Sequence, residues 1–157
     1  MPTHKKIVFD FIDDQELLNV DFDRMERAIA KILADAGVTA GKIEIAVVAA
    51  EPMHAMNVEF LGHDYPTDVL AFPMDGGPGL GYLEGNIVVC SDVAAECAKD
   101  YGWGAEEELL LYAIHGALHL VGYDDHTPED APEMHAKERE YLQYVGVDGS
   151  RSRNEER

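Results

Sequence analysis

The stretch His115–His126, HGALHLVGYDDH, places three of the chain's seven histidines within one short segment. Its first half belongs to a run, Ala105–Val121, that reads as a helix. Glu106, Glu107 and Glu108 fall in the first turn, where negative charge suits the positive end of the helix dipole. Leu110, Ile114, Leu118 and Val121 recur at spacings of three and four and form an apolar stripe. His115 and His119 lie off that stripe and are four apart, so both imidazoles project from one helix face, one turn apart. Gly122 stops the helix and the chain turns back. His126 can then arrive from the turn as a third ligand. Thr127-Pro128-Glu129-Asp130 pins it there by starting another helix: a capping threonine, proline at the first helical position, an acid two residues on. Three protein ligands with an open fourth position describe a catalytic zinc site, not a structural one.

Neutral imidazoles without a thiolate suit zinc, and one ion per chain is expected at His115, His119 and His126. Asp125 is a rival for the third position. Each histidine must be neutral to bind, so affinity falls in acid. In the peptidase pattern H-E-x-x-H the glutamate is the general base; here that position is Gly116. A peptidase of that kind is therefore disfavoured. Asp124 is the candidate catalytic residue, able to orient a ligand ring or take a proton. The competing reading makes Asp124 and Asp125 turn residues that bond the local backbone.

Working outward, strand and helix patterns alternate without an internal repeat. Lys5–Ile12 (KKIVFDFI), Lys42–Ala49 (KIEIAVVA), Asp68–Phe72 (DVLAF) and Tyr82–Cys90 (YLEGNIVVC) read as strands. The last two are expected to form a hairpin around the glycine-rich loop Met74–Gly81. That loop joins two strands, opens no helix and lacks the lysine of a phosphate cradle. Asp21–Ala36 reads as a helix, with Met25, Ala28, Ile29, Ile32 and Leu33 on one face and Gly37 behind it. Shorter helices are expected over His54–Leu61 and, capped by Ser91, over Asp92–Tyr101. The final helix runs from the Thr127 cap to about Val145. The expected architecture is an α/β chain of the α+β kind: a small mixed four-stranded sheet packed with about five helices.

The chain has 157 residues, 46% of them apolar, enough for one domain with a real core. Residues 1–147 are expected to form it, with 148–157 a polar, frayed tail. No apolar run approaches a membrane span. Asp10 interrupts the apolar N-terminal stretch and no small-residue cleavage site follows, so no signal peptide is expected and the protein reads as cytoplasmic. Cys90 and Cys97 fit no zinc-pair spacing and read as reduced thiols. The net charge of −19 argues against a basic nucleic-acid-binding surface.

HGALHLVGYDDH resembles the HGxLHLxGYDH signature of the YbeY family, metal-dependent endoribonucleases also called rRNA maturation factors. Asn57, Asp64 and PTDVLAFP (Pro66–Pro73) are similar to that family's N…D…TDVLSFP segment, and GNIVVC (Gly85–Cys90) to its GDIVIC strand. The likeness spans roughly Ile45 to Val145. It implies a zincin-like fold, zinc on His115, His119 and His126, and single-strand endoribonuclease activity. The implied role is maturation of ribosomal RNA, notably the 3′ end of the small-subunit RNA, and ribosome quality control, with small-subunit proteins as partners. This chain departs from the signature by a second aspartate before the last histidine. Leu61 stands where the family often has an arginine, and Asn86 where it commonly has an aspartate.

Two other functions compete: a zinc hydrolase of a peptide or small molecule, and a non-catalytic ribosome-assembly factor whose metal clamps the last two helices. If single-stranded RNA is the substrate, its expected seat is the basic set Lys5, Lys6, Arg24, Arg27, Lys31 and Lys42, all in the first third of the chain.

Overall fold

Four β-rich segments build one mixed sheet in a computed structural model that describes residues 6–149. Lys5 and residues 150–157, most of the expected tail, lie outside the described residues. Strands β1 (Ile7–Asp14), β2 (Ala40–Val48), β3 (Val69–Gly77) and β4 (Tyr82–Cys90) lie in the order β1-β2-β4-β3. β1 and β4 run parallel to β2, while β3 runs antiparallel to β4 as the expected hairpin. Side chains alternate between faces along a strand. Ile43, Ile45, Val47, Ile87 and Val89 are therefore buried in the main core on one face. Leu70, Val88 and Cys90 are buried on the other, against Met53.

Helices α1 (Phe22–Asp35), α2 (Ala50–Leu61), α3 (Ser91–Tyr101), α4 (Ala105–Leu120) and α5 (Ala131–Tyr144) complete one α+β domain. α1 is fixed at its start by Asp21, whose carboxylate accepts from the Arg24 N–H, and it buries all five residues of its predicted apolar face. α4 is the central helix. Its predicted stripe was too narrow: it packs against α1, α3, α5, β3 and β4, and is buried on nearly every side. Over residues 111–120 only His115 and His119 stay partly exposed. Gly116, between them, faces the sheet. A Cβ there would lie 2.8 Å from Ile87 Cγ2 and 3.2 Å from Val69 Cγ2, so glycine is what lets the helix sit this close.

Several boundaries differ from expectation. α2 begins at Ala50, before the expected His54, because Pro52 falls in the first turn, where its missing N–H has no helical partner. β3 runs through most of the expected glycine loop, pairing as far as Gly77 with Tyr82 across a register shift at Pro73/Asp75. Only Pro78–Leu80 forms a tight 3-10 turn. Ser91 lies inside α3, not at its cap, and its buried hydroxyl donates to the Val48 carbonyl at 3.2 Å. Thr127 does cap a turn, accepting from the Asp130 N–H at 3.1 Å, but regular helix starts only at Ala131. Among the described residues no helix is long and apolar enough to cross a membrane.

Candidate metal centre

His115 and His119 direct their Nε2 atoms at each other from successive turns of α4, 3.0 Å apart. The following turn brings a third donor. Gly122 takes a φ of +104°, and the Tyr123 N–H returns to the Leu118 carbonyl. Asp124 Oδ1 then accepts from the backbone N–H groups of Asp125 at 2.7 Å and His126 at 3.1 Å, an Asx turn that closes the loop. This leaves the Asp125 carboxylate facing the helix. Its Oδ2 lies 3.5 Å from His115 Nε2 and its Oδ1 3.5 Å from His119 Nε2. Two donors each bound ~2.0–2.1 Å from a tetrahedral ion stand about 3.3 Å apart. The 3.0 Å between the two Nε2 atoms, and the 3.5 Å from each of them to one Asp125 oxygen, lie close to that spacing, and two imidazoles and a carboxylate are donors that suit zinc.

The structure thus brings together His115, His119 and Asp125, all partly buried. His126 is close by, its ring centroid 6.3 Å from that of His119. Its Nδ1 turns instead to Asp124 Oδ1 at 2.7 Å, and its side chain is 80% exposed. Asp124, the candidate catalytic residue, organises the turn and holds His126.

Glu138, on α5, was invisible to sequence reasoning: it comes twenty-three positions after His115, with no local pattern. Its Oε2 is 2.5 Å from His115 Nδ1, the residue is 3% exposed, and its Oε1 has no hydrogen-bond partner. The contact fixes the ring so that Nε2 is the free donor, the usual arrangement behind a metal-binding histidine. Asp68, at the entry to β3, is the other acid near the pair. It caps its own strand, accepting from the Val69 N–H at 2.8 Å, and borders both cavities that flank His115. One, about 260 Å³, is also lined by Tyr112, Asp125, His135 and Glu138. The other, about 710 Å³, runs along β3 past Phe60, Leu61 and Phe72 to His119 and His126.

The site's electrostatics follow from these contacts. Burial pushes the His115 imidazole down, but the Glu138 hydrogen bond and charge, with Asp125, outweigh it and hold the group above its ordinary value. Burial, and then the neighbouring His115, hold His119 below its ordinary value. For Asp124 desolvation is the largest single influence and raises the carboxyl, but the Asp125 N–H and the His126 contacts together outweigh it and keep the group below its ordinary value. A carboxylate so held is a weak base.

The other polar residues of the segment before β3 make local bonds. Asn57 is fully buried and donates to the Tyr65 carbonyl at 2.8 Å; Asp64 meets His54 Nε2 at 2.8 Å; Thr67 donates to Asp68. Cys90 and Cys97 are free thiols. The basic residues are largely engaged: Arg24 with Glu106 and Glu107, Lys31 with Asp35, Lys42 with Asp10. Arg24 also sits far from the histidines, since about 13 Å of α4 separates Glu106 from His115 at 1.5 Å per residue.

Comparison with known proteins gives the family. The family model described as Endoribonuclease YbeY matches residues 10–146. A protein named Endoribonuclease YbeY from Elusimicrobium minutum is 48% identical over 98 residues, 60% of this chain and 67% of its own. One from Sulfurovum sp. is 38% identical, covering 88% of this chain and 92% of its own. One from Bacillus licheniformis is 32% identical over 92% of this chain and 98% of its own. A solution structure of a Thermotoga maritima protein superposes with a TM-score of 0.63 at 25% identity, covering 94% of this chain and 95% of that one. With its histidine motif, mixed sheet and near-complete match to the family model, the chain belongs to the YbeY endoribonuclease family.

Proposed function

We propose that this endoribonuclease is zinc-dependent, cuts single-stranded RNA and works in the cytoplasm. Its substrate is the maturing 3′ end of small-subunit ribosomal RNA, met beside small-subunit proteins, with a further role in ribosome quality control. The converging donors of His115, His119 and Asp125 carry this reading. His115 and His119 hold the ion, and the turn supplies the third donor, Asp125 in the conformation observed. Bound zinc supplies Lewis acidity toward a phosphoryl oxygen and lowers the pKa of water. Glu138 holds the His115 ring for the task. Asp124 is a positioning residue: it fixes His126 Nδ1 and leaves His126 Nε2 to move a proton at the scissile phosphate.

A peptide substrate fits less well. Gly116 stands where the peptidase glutamate would be, and that position faces Ile87 and Val69, with no room for a carboxylate. Metal-loaded protein offered single-stranded RNA, a peptide and an ester is expected to cut only the RNA. Hydrolysis of peptide or ester with the RNA left intact would overturn the reading.

A further inference from the structure

The cleft beside the histidines has the wrong lining for gripping phosphates. It runs along β3, the edge strand of the sheet, and past the C-terminal end of α2. Among the described residues that line it there is no lysine or arginine, and its one carboxylate is Asp68. Its floor and rim are apolar: Val69, Leu70, Ala71, Phe72 and Pro73 from β3, with Phe60 and Leu61 from α2. Phe60 is 54% exposed and stands edge-on to Phe72, ring centroids 5.2 Å apart, so one ring supports the other while a face stays open. Leu61, 52% exposed, adds to the rim. A chain of net charge −19 offers no compensating field around the cleft. Of the N-terminal basic residues, Arg24, Lys31 and Lys42 engage carboxylates elsewhere on the molecule.

We propose that this cleft holds the RNA strand by its unpaired bases, stacked on Phe60 and the apolar wall of β3, while phosphate is contacted only at the metal centre. The occupant is single-stranded RNA because the cleft is continuous with the histidines of an endoribonuclease, and base faces are what an aromatic, uncharged wall can bind. This rests on the ribonuclease reading above. Base–aromatic stacking contributes on the order of 1–3 kcal/mol per base and tolerates any sequence. Phosphate contacts, by contrast, each add a log–log salt slope of roughly −0.7. The inferred strand therefore binds with little salt dependence, requires unpaired bases and shows weak sequence preference.

The test uses zinc-loaded full-length protein and two oligonucleotides of equal length, a single-stranded RNA and its counterpart with abasic sites opposite the cleft. The RNA is expected to bind with a salt slope of about one contact, and the abasic strand at least tenfold more weakly. Phe60→Ala should raise Kd for the RNA about tenfold with zinc content unchanged, and Phe60→Trp should restore it. Leu61→Arg should steepen the salt slope by about one further contact. Equal binding of the abasic strand, or an unaltered Kd for Phe60→Ala, overturns the stacking proposal while leaving RNA cleavage intact. Failure of any RNA to bind or be cut overturns the ribonuclease reading as well. Displacement of RNA by an apolar peptide with no effect of bases would assign the cleft to peptides instead.

Discussion

Removing the Glu138 carboxylate separates the support of the metal centre from the centre itself. Glu138 reaches His115 Nδ1 at 2.5 Å from a position 3% exposed, so water cannot replace it there. Its Oε1 is buried without a partner, which makes the group costly unless positive charge lies near. A bound dication beyond His115 provides such charge. Loss of a partner of this kind typically costs 10–100-fold in metal affinity, or about 1.4–2.8 kcal/mol. Glu138→Gln keeps an acceptor for Nδ1 but loses the charge, so a weakening near tenfold is expected. Glu138→Ala should approach a hundredfold. Competition with a chromophoric chelator measures both. Thermal unfolding of the metal-free proteins is the control, and the glutamine variant should melt close to the parent. Wild-type zinc affinity in both variants would refute the role given to Glu138.

The third donor is decided by zinc content of Asp125→Ala and His126→Ala proteins: the first should lose most of its zinc, while the second keeps zinc and loses RNA cleavage. If His126→Ala loses the metal and Asp125→Ala keeps it, His126 is the ligand, as the spacing read from sequence has it. Gly116→Ala should destabilise by up to about 2 kcal/mol, since overpacking against the buried, stiff Ile87 side chain costs about 1–3 kcal/mol and better helix propensity returns roughly 0.8–1. Urea unfolding showing a gain would refute the close-packing argument. Asp35 is held below its ordinary carboxyl value first by the Tyr141 hydroxyl, with burial opposing and Lys31 helping. A depressed folded-state pKa stabilises above the unfolded value of 3.8 and is lost as pH falls through the folded one. Tyr141→Phe should therefore lessen the fall in Tm between about pH 4 and pH 2. The effect should stay well under 1 kcal/mol, because the Asp35 side chain is 38% exposed and screened. Identical acid limbs for the two proteins would contradict it.

Local pattern revealed what local physics determines. The four-residue spacing of His115 and His119 sufficed to place two imidazoles on one face, and the strand alternation of β2 and β4 sufficed for the sheet. The β3–β4 hairpin was legible from its turn residues, but its extent was not, because pairing with Tyr82–Glu84 overrides the glycine-rich composition of residues 74–77. Pro52 concealed the start of α2, since proline is tolerated in a first turn as readily as it breaks a later one. At the centre, one residue of turn geometry decides whether Asp125 or His126 faces the helix, and Asp124's two backbone hydrogen bonds set it. Glu138 depends on how α5 docks against α4, which no short-range spacing encodes. The near-total burial of α4 is likewise a tertiary fact; its sequence showed only the strongest of several apolar faces.

Metal content and RNA cleavage, followed on one preparation before and after chelation, test zinc-dependent ribonuclease action most directly. The purified protein should carry one zinc per chain, lose cleavage of single-stranded RNA when the metal is stripped, and recover it with one equivalent of zinc. Cleavage that survives complete removal of the metal, or protein that never holds zinc yet cuts RNA, would contradict the assignment of His115 and His119 as the heart of the site.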